Sequence, residues 1–176
     1  MKKKAPVFRS IRILTLAAML TAISVIIGIF CKSFLNFGNG LFRITFENLP
    51  VILSGILFGP IVGGLVGIAT DLISYLLSPQ IYPPNLIVTA GAFLIGFFSG
   101  LLARIPIKHP SARILLCTSV SHLVGSIVVK SFGLYQFYGI LVLWRIPVYF
   151  AIILIESLLL CILLGRKSFQ RLIGNI

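Results

Sequence analysis

The stretch from Lys130 to Glu156 contains the residues with the clearest chemical potential in the chain. Lys130 closes one apolar run and Arg145 opens the next, with an aromatic loop predicted between them. A cation inside a membrane-spanning segment is costly and commonly marks a substrate or ion path. Aromatic rings stack on flat solutes, and a guanidinium holds a carboxylate through two parallel hydrogen bonds. The pattern predicts a binding site for a flat, anionic solute.

The predicted binding residues combine cations, aromatic rings and polar side chains. Arg145 is followed by Pro147 and lies among aromatic residues, which favours a ligand-binding role over a surface role. Glu47 begins a predicted helix, where it either caps that helix or accepts hydrogen bonds from the ligand. The residues predicted to bind substrate are Arg145, Lys130, Arg43, Tyr138, Trp144, Tyr149, Glu47 and Asn85. No residue is predicted to be catalytic or to bind a metal.

The remaining charged residues of the apolar runs have a structural interpretation. Lys32 is expected to reach the lipid headgroups or to pair with a neighbour. Asp71 and Glu156 lie inside predicted helices, where a carboxylate is usually paired. We therefore expect each to form an ion pair or a hydrogen bond with a buried polar residue. The candidate partners are His122, Asn85 and Thr89.

The composition is that of an integral membrane protein. The 176 residues are 59% hydrophobic and 10% charged, with a mean hydropathy of +1.13, whereas about a quarter of a soluble domain is charged. The net charge of +12 would suggest nucleic acid in a soluble protein, but here its distribution follows membrane topology. The three cysteines lack metal or disulfide spacing. We predict no cofactor and no nucleic-acid partner; membrane lipid surrounds the chain.

Six apolar segments predict an all-α membrane protein with six transmembrane helices in one domain, residues 1–176. The predicted helices are 10–31, 47–58, 61–77, 86–103, 114–133 and 144–164. A turn at Gly59-Pro60 predicts that helices two and three form an antiparallel hairpin. Glycines recur every fourth residue through this hairpin, a spacing that allows helices to pack closely in lipid. They are Gly55, Gly59, Gly63 and Gly67. Residues 41–46 predict a short strand or an ordered lid segment.

Basic residues set the predicted orientation. With six helices and a cytoplasmic N-terminus, eleven of the fifteen lysines and arginines fall on the cytoplasmic side, and the C-terminus returns there. The first apolar run, 13–31, is longer than a signal-peptide core, so we expect it to remain as a membrane helix. The four basic residues left outside are Lys32, Arg43, Lys130 and Arg145.

Several stretches resemble the substrate-binding S components of energy-coupling factor vitamin importers, most closely those of the folate type. Ala18-x-x-x-Ala22 is similar to the small-residue motif with which the family docks its coupling subunit. Residues 43–73 resemble the family's lid, hairpin and Gly-Pro turn. Residues 83–92, 121–139 and 144–156 resemble folate-type segments, although Leu86 stands where we expect proline.

The resemblance implies a six-helix bundle that holds a vitamin near its outer face in a bacterial plasma membrane. It also implies partners: a coupling transmembrane subunit, which docks at Ala18 and Ala22, and two cytoplasmic ATPase subunits. In the implied mechanism the loaded bundle topples in the membrane. The sequence contains no G-x-x-x-x-G-K-[ST] motif, so ATP hydrolysis is not expected in this chain.

We therefore predict a non-catalytic, high-affinity binding subunit for folate uptake. An S component for another vitamin and a self-contained small-solute carrier are the alternatives. A carrier would need a polar stripe through several helices, whereas the inner halves of these segments are apolar. An intramembrane enzyme would need clustered acids, and the three acids lie in three separate segments without DxxD or HExxH spacing.

Overall fold

Apolar helices make up almost all of the chain that the structure describes. The computed structural model describes residues 11–37, 42–77 and 84–166, with the backbone alone at 36–37 and 42–43. The α-helices in these ranges are α1 (Ile11–Phe34), α2 (Asn48–Phe58), α3 (Pro60–Leu77), α4 (Leu86–Leu102), α5 (Pro110–Ser121), α6 (Ser131–Tyr138) and α7 (Arg145–Gly165). The predicted all-helical class is confirmed.

Three helical stretches of the described residues are long and apolar enough to cross a membrane. They are Ile11–Phe34, Pro60–Leu77 and Pro110–Gly165, and two shorter apolar helices are Asn48–Phe58 and Leu86–Leu102. The stretch Pro110–Gly165 folds back on itself, because α5 packs against α7 and His122 bonds to Glu156. It therefore contains both the fifth and the sixth predicted helices.

A small hairpin follows α1. Two-residue strands β1 (Asn36–Phe37) and β2 (Phe42–Arg43) pair antiparallel, with Asn36 opposite Arg43 and Phe37 opposite Phe42. β2 falls within the segment 41–46 predicted as a strand or lid. Residues 38–41, between the strands, and residues 78–83, between α3 and α4, lie outside the described residues; the turn predicted at 37–40 therefore falls largely outside them.

Glycines bring α2, α3 and α4 into backbone contact. A methyl group added to Gly63 would lie 2.5 Å from the Cα of Gly55 and 2.5 Å from the carbonyl oxygen of Gly96. We call Gly55, Gly63 and Gly96 the glycine contact. The hairpin turn between α2 and α3 uses Gly59, whose φ of +97° is open to glycine but strained for other residues. The predicted packing role is confirmed for Gly55, Gly63 and Gly67, whereas Gly59 serves the turn.

The second half of the chain departs from the predicted helix boundaries. α5 begins at Pro110, because proline fits the first turn of a helix. It runs into a π-helical segment, His122–Lys130, and then directly into α6. The aromatic stretch predicted as a loop is thus helical up to Tyr138. A 3₁₀ turn, Gly139–Trp144, joins α6 to α7, and Gly139 has a φ of +56°.

Candidate functional site

A cleft opens at the end of the bundle where α1 and α3 finish and α2, α4 and α7 begin. Segments distant in sequence meet there because neighbouring helices run in opposite directions. Five of the predicted binding residues line this cleft: Arg145, Lys130, Tyr149, Glu47 and Asn85. The cleft also has polar lining residues that the prediction did not assign to the ligand: Lys32, Thr45, Asn48, Asp71, Ser74, Tyr75 and Thr89.

Two buried cations form one wall of the cleft. Lys130 ends the π-helical segment and Arg145 begins α7, and each side chain is only 8% exposed. The Lys130 stem crosses α4 at Gly91, where an added Cβ would lie 2.6 Å from the lysine Cγ. Glycine at that position therefore gives the lysine its path into the cleft. We call Lys130 and Arg145 the cation wall.

The cation wall forms no direct ion pair inside the described part of the chain, although Glu47 and Asp71 line the same cleft. Neither the Lys130 ammonium nor the Arg145 guanidinium forms a hydrogen bond or an ion pair with another described residue. Removing a charge from water costs several kcal/mol unless a partner repays it. The arrangement thus favours an anionic group arriving from outside the protein.

Two carboxylates lie on the other walls of the cleft. The Thr89 hydroxyl donates to Oδ2 of Asp71 at 2.7 Å, which confirms the predicted pairing of this acid with a buried polar residue. Glu47 lies against α1, where a Cβ on Gly28 would be 2.6 Å from its Oε2. Its side chain makes no capping hydrogen bond to α2, so the capping interpretation is wrong. The backbone carbonyl of Glu47 accepts from the Ser24 hydroxyl.

Asn85 shapes the cleft as well as lining it. Its Oδ1 accepts from the backbone N–H of Ile87 at 2.9 Å and caps α4, and its Nδ2 donates to the carbonyl of Gly133 at 2.8 Å. The side chain therefore fixes the start of α4 against α6. An amide has two donors and two acceptor positions, so one of each remains for a solute.

Two of the predicted binding residues, Trp144 and Tyr138, do not line the cleft, and a third, Arg43, has only its backbone described. Trp144 is 63% exposed at the end of the 3₁₀ turn. Tyr138 is half-buried and packs against a small apolar cluster that includes Leu134 and Val142. The backbone of Arg43 pairs with Asn36 in the hairpin, and its side chain lies outside the described residues.

Lys32 and Asp71 are the charged lining residues that sequence reasoning assigned elsewhere. Lys32 donates to the carbonyl of Ser74 at 3.3 Å. Of the two roles predicted for it, headgroup contact or pairing with a neighbour, the structure shows the second. Both residues belong to the last turns of helices that end at the cleft, α1 and α3. Their position near the ends of two helices that finish on the same side was the signal in the sequence that could have placed them at the cleft.

A second predicted pairing is confirmed below the cleft. Nε2 of His122 lies 2.7 Å from Oε2 of Glu156, and both side chains are fully buried. The His122 ring also neighbours that of Tyr149, with ring centroids 6.3 Å apart. Within the described ranges, no group of three or more His, Cys, Asp or Glu residues is placed to hold a metal ion.

The arrangement can bind a solute with two unlike ends. Cations on one wall suit carboxylates, whereas Asp71 and Glu47 suit N–H donors, and Tyr149 offers a ring between them. On α1, far along the chain from these walls, Ala18 and Ala22 are both exposed and share one face.

Comparisons with known proteins bear on this site. The chain is 35% identical over 68 residues to the folate transporter FolT of Clostridium novyi (strain NT), an alignment that covers 37% of this chain and 40% of that protein. It is 32% identical over 99 residues to an uncharacterized MG098 homolog of Mycoplasma pneumoniae (strain ATCC 29342 / M129 / Subtype 1), covering 55% of this chain and 20% of that protein. The alignments thus span less than half the length of these curated relatives.

The fold is shared with a solved structure. The crystal structure of FolT bound with folic acid matches with a TM-score of 0.66 and 24% identity, covering 89% of this chain and 95% of that chain. At this identity the likeness shows the fold. Residues 12–170 match the family model described as "ECF transporter, substrate-specific component". Because that match extends over nearly the whole chain, this membrane protein belongs to the family of substrate-specific components of ECF transporters.

Proposed function

We propose that this chain is the high-affinity folate-binding subunit of a vitamin importer. The observation that carries the proposal is the cation wall, two buried positive charges that face one cleft and form no ion pair or hydrogen bond with another described residue. Folate ends in a glutamate with two carboxylates, and pairing with them would offset the desolvation free energy of the two buried cations. A relative and a structural neighbour of this chain are both named FolT.

The rest of the cleft suits the other end of folate. A pterin is a flat ring with N–H and NH₂ donors, and a carboxylate is their natural acceptor. Asp71 is held in place by Thr89, and Tyr149 supplies an aromatic face in the same cleft. We assign the glutamate tail to Lys130 and Arg145, and the pterin to the walls that carry Asp71, Glu47 and Asn85.

Folate binding requires the cleft to widen. Its cavity volume is about 50 Å³, whereas sites for ligands of this size enclose roughly 300–1,000 Å³. The walls belong to different helices, so they can separate without breaking a helix. We expect the bound form to differ from the present one mainly at this end of the bundle.

The remaining parts of the proposal concern the membrane and the partners. We place six helices across a bacterial plasma membrane with both termini in the cytoplasm. The arginines Arg104, Arg113 and Arg166 support this orientation, since they lie where α4 ends, α5 begins and α7 ends, opposite the cleft. A coupling transmembrane subunit docks on the exposed face of Ala18 and Ala22, and two cytoplasmic ATPase subunits supply the energy.

Isothermal titration of the purified, ligand-stripped chain in detergent tests the proposal. We expect nanomolar folate binding and no binding of riboflavin, pantothenate or thiamine at the same concentrations. Tight binding of one of those vitamins instead would keep the S-component role and reject folate. Binding of none would reject the proposed capture function.

The variant Arg145→Ala links the titration to the site. We expect it to weaken folate binding by about 2–3 kcal/mol, which is roughly 30- to 150-fold, because a charge-assisted pair is lost in a partly dry cleft. Trp144→Leu is the matched control, since Trp144 is adjacent in sequence but lies outside the cleft. Equal affinities of Arg145→Ala and the unmodified chain would remove Arg145 from the site.

A further inference from the structure

The His122–Glu156 pair lies directly beneath the cleft and has no assigned role. His122 begins the π-helical segment that ends at Lys130. Glu156 lies on the same buried face of α7 as Arg145 and Tyr149, eleven and seven residues further on. The pair therefore joins the two elements that carry the cation wall.

The geometry of the pair is that of a tether. Nε2 of His122 is 2.7 Å from Oε2 of Glu156, and Nδ1 is 3.1 Å from the Ser126 hydroxyl, so both ring nitrogens have partners. Oε1 of Glu156 has no hydrogen-bond partner among the described residues although it is fully buried. The carboxylate is thus held in the interior by one hydrogen bond to the imidazole, while its other oxygen is desolvated without a hydrogen bond in return.

Stability does not account for such a pair. Replacing a buried ion pair or hydrogen-bonded pair by apolar residues of similar volume is often neutral or stabilising. Apolar side chains are already buried on the same helix, since Ile152 and Ile153 lie about one turn before Glu156 in α7. A directional bond contributes what apolar contacts lack, which is a fixed distance and register between two helices.

The π-helical segment has its own need for a fixed register. Its other neighbour is α4, where Gly125 and Gly91 meet, with an added Cβ on Gly125 only 2.7 Å from the Gly91 carbonyl oxygen. This contact holds one side of the segment, and the bond from His122 to Glu156 holds the other. Lys130 lies at the end of the segment so held, across Gly91.

We propose that His122 and Glu156 are positioning residues that set the separation of Lys130 from Arg145, and through it the preference of the cleft for a ligand with two carboxylates. Neither residue lines the cleft. The inference rests on the proposed function, because the ligand end that it governs is the glutamate tail of folate.

The test compares folate with pteroate, which has the same pterin and benzoyl groups but lacks the glutamate. In Glu156→Leu, which fills the space without a bond to His122, we expect folate affinity to fall about tenfold. Pteroate affinity should change less than about threefold, because only one carboxylate is present. Glu156→Gln keeps an oxygen acceptor for the imidazole N–H, so it should retain most of the folate affinity.

Controls separate positioning from folding. Ser157→Ala removes a buried hydroxyl one residue away that bonds only to the carbonyl of Leu154, and it should bind both ligands normally. Thermal unfolding and gel filtration report whether each variant is folded. If Glu156→Leu does not fold, His122→Phe breaks the same bond from the other helix while keeping a ring beside Tyr149.

Each outcome decides between the two claims. Selective loss of folate affinity in the bond-breaking variants, with rescue by Glu156→Gln, supports positioning. Equal losses for folate and pteroate, unchanged affinities, or failure of Glu156→Gln to rescue would overturn the inference and leave the proposed function standing. Absence of folate binding by the unmodified chain would overturn both.

Discussion

The glycine contact and the cation wall contribute to the stability of the bundle in opposite directions. At the glycine contact, Gly55, Gly63 and Gly96 bring three helices together by having no side chains. At the cation wall, Lys130 and Arg145 place two charges in the interior without a direct ion pair to another described residue. The first arrangement favours the folded state, whereas the second costs stability. If the proposed function holds, stability and ligand binding are carried by different residues, and substitutions should separate them.

The largest effect is expected at the glycine contact. Gly63→Ala places a methyl group 2.5 Å from two backbone atoms on neighbouring helices, which cannot move aside as a flexible side chain can. We expect a loss of about 3 kcal/mol of stability, seen as a lower thermal midpoint and a smaller monodisperse fraction. Gly165→Ala is the control, since nothing lies within 4 Å of an added Cβ there. Equal stability of the two variants would contradict the close contact.

The next largest effect is expected at Lys130, where a substitution should weaken folate binding without lowering stability. Lys130→Met keeps an unbranched stem across Gly91 and removes the charge. We expect folate affinity to fall by at least about tenfold, because one carboxylate loses its partner. Thermal stability of the ligand-free chain should stay the same or rise, since a desolvated cation is gone. A less stable variant with normal folate affinity would reverse the assignment of Lys130 from binding to structure.

The smallest effect is expected on the opposite wall. Thr89→Val preserves shape and removes the hydroxyl that donates to Asp71 at 2.7 Å. We expect a loss of about 1 kcal/mol in folate binding, or roughly fivefold in affinity, measured by titration. Thr118→Val is the control, because its hydroxyl also belongs to a helical threonine but bonds only to the carbonyl of Ile114. If both variants bind folate with the same affinity, the hydrogen bond from Thr89 to Asp71 does not contribute to folate binding.

The glycine contact was predictable because its signal is local. Small residues four positions apart mark a surface for close helix packing whatever that surface meets. Gly63 and Gly67 do so in α3, and Gly55 does so in α2, across the turn at Gly59. The partners of Asp71 and Glu156 were predictable for a related reason. A carboxylate inside an apolar helix needs a polar partner, and the apolar runs contain few of them.

The composition of the cleft was only partly predictable, because it depends on where helices end relative to one another. Lys32 and Asp71 face the ligand cleft since α1 and α3 finish at the same end of the bundle, which residue type alone does not reveal. Trp144 points away because a 3₁₀ turn precedes α7 and sets the rotation at which that helix begins. The aromatic residues before it lie in a helix, α6, because the chain continues past Lys130 without a break.

The π-helical segment gives the chain a place where a change in length disturbs the cleft least. A π turn holds more residues than an α turn, so His122–Lys130 accommodates its residues in a wider coil than the helices on either side. Deleting one residue from an ordinary α-helix turns everything after it by about 100° around the helix axis. A deletion within the π-helical segment is different, because a return to the α repeat takes up part of that rotation. The side chain that crosses Gly91 therefore depends on how many residues the wide coil holds.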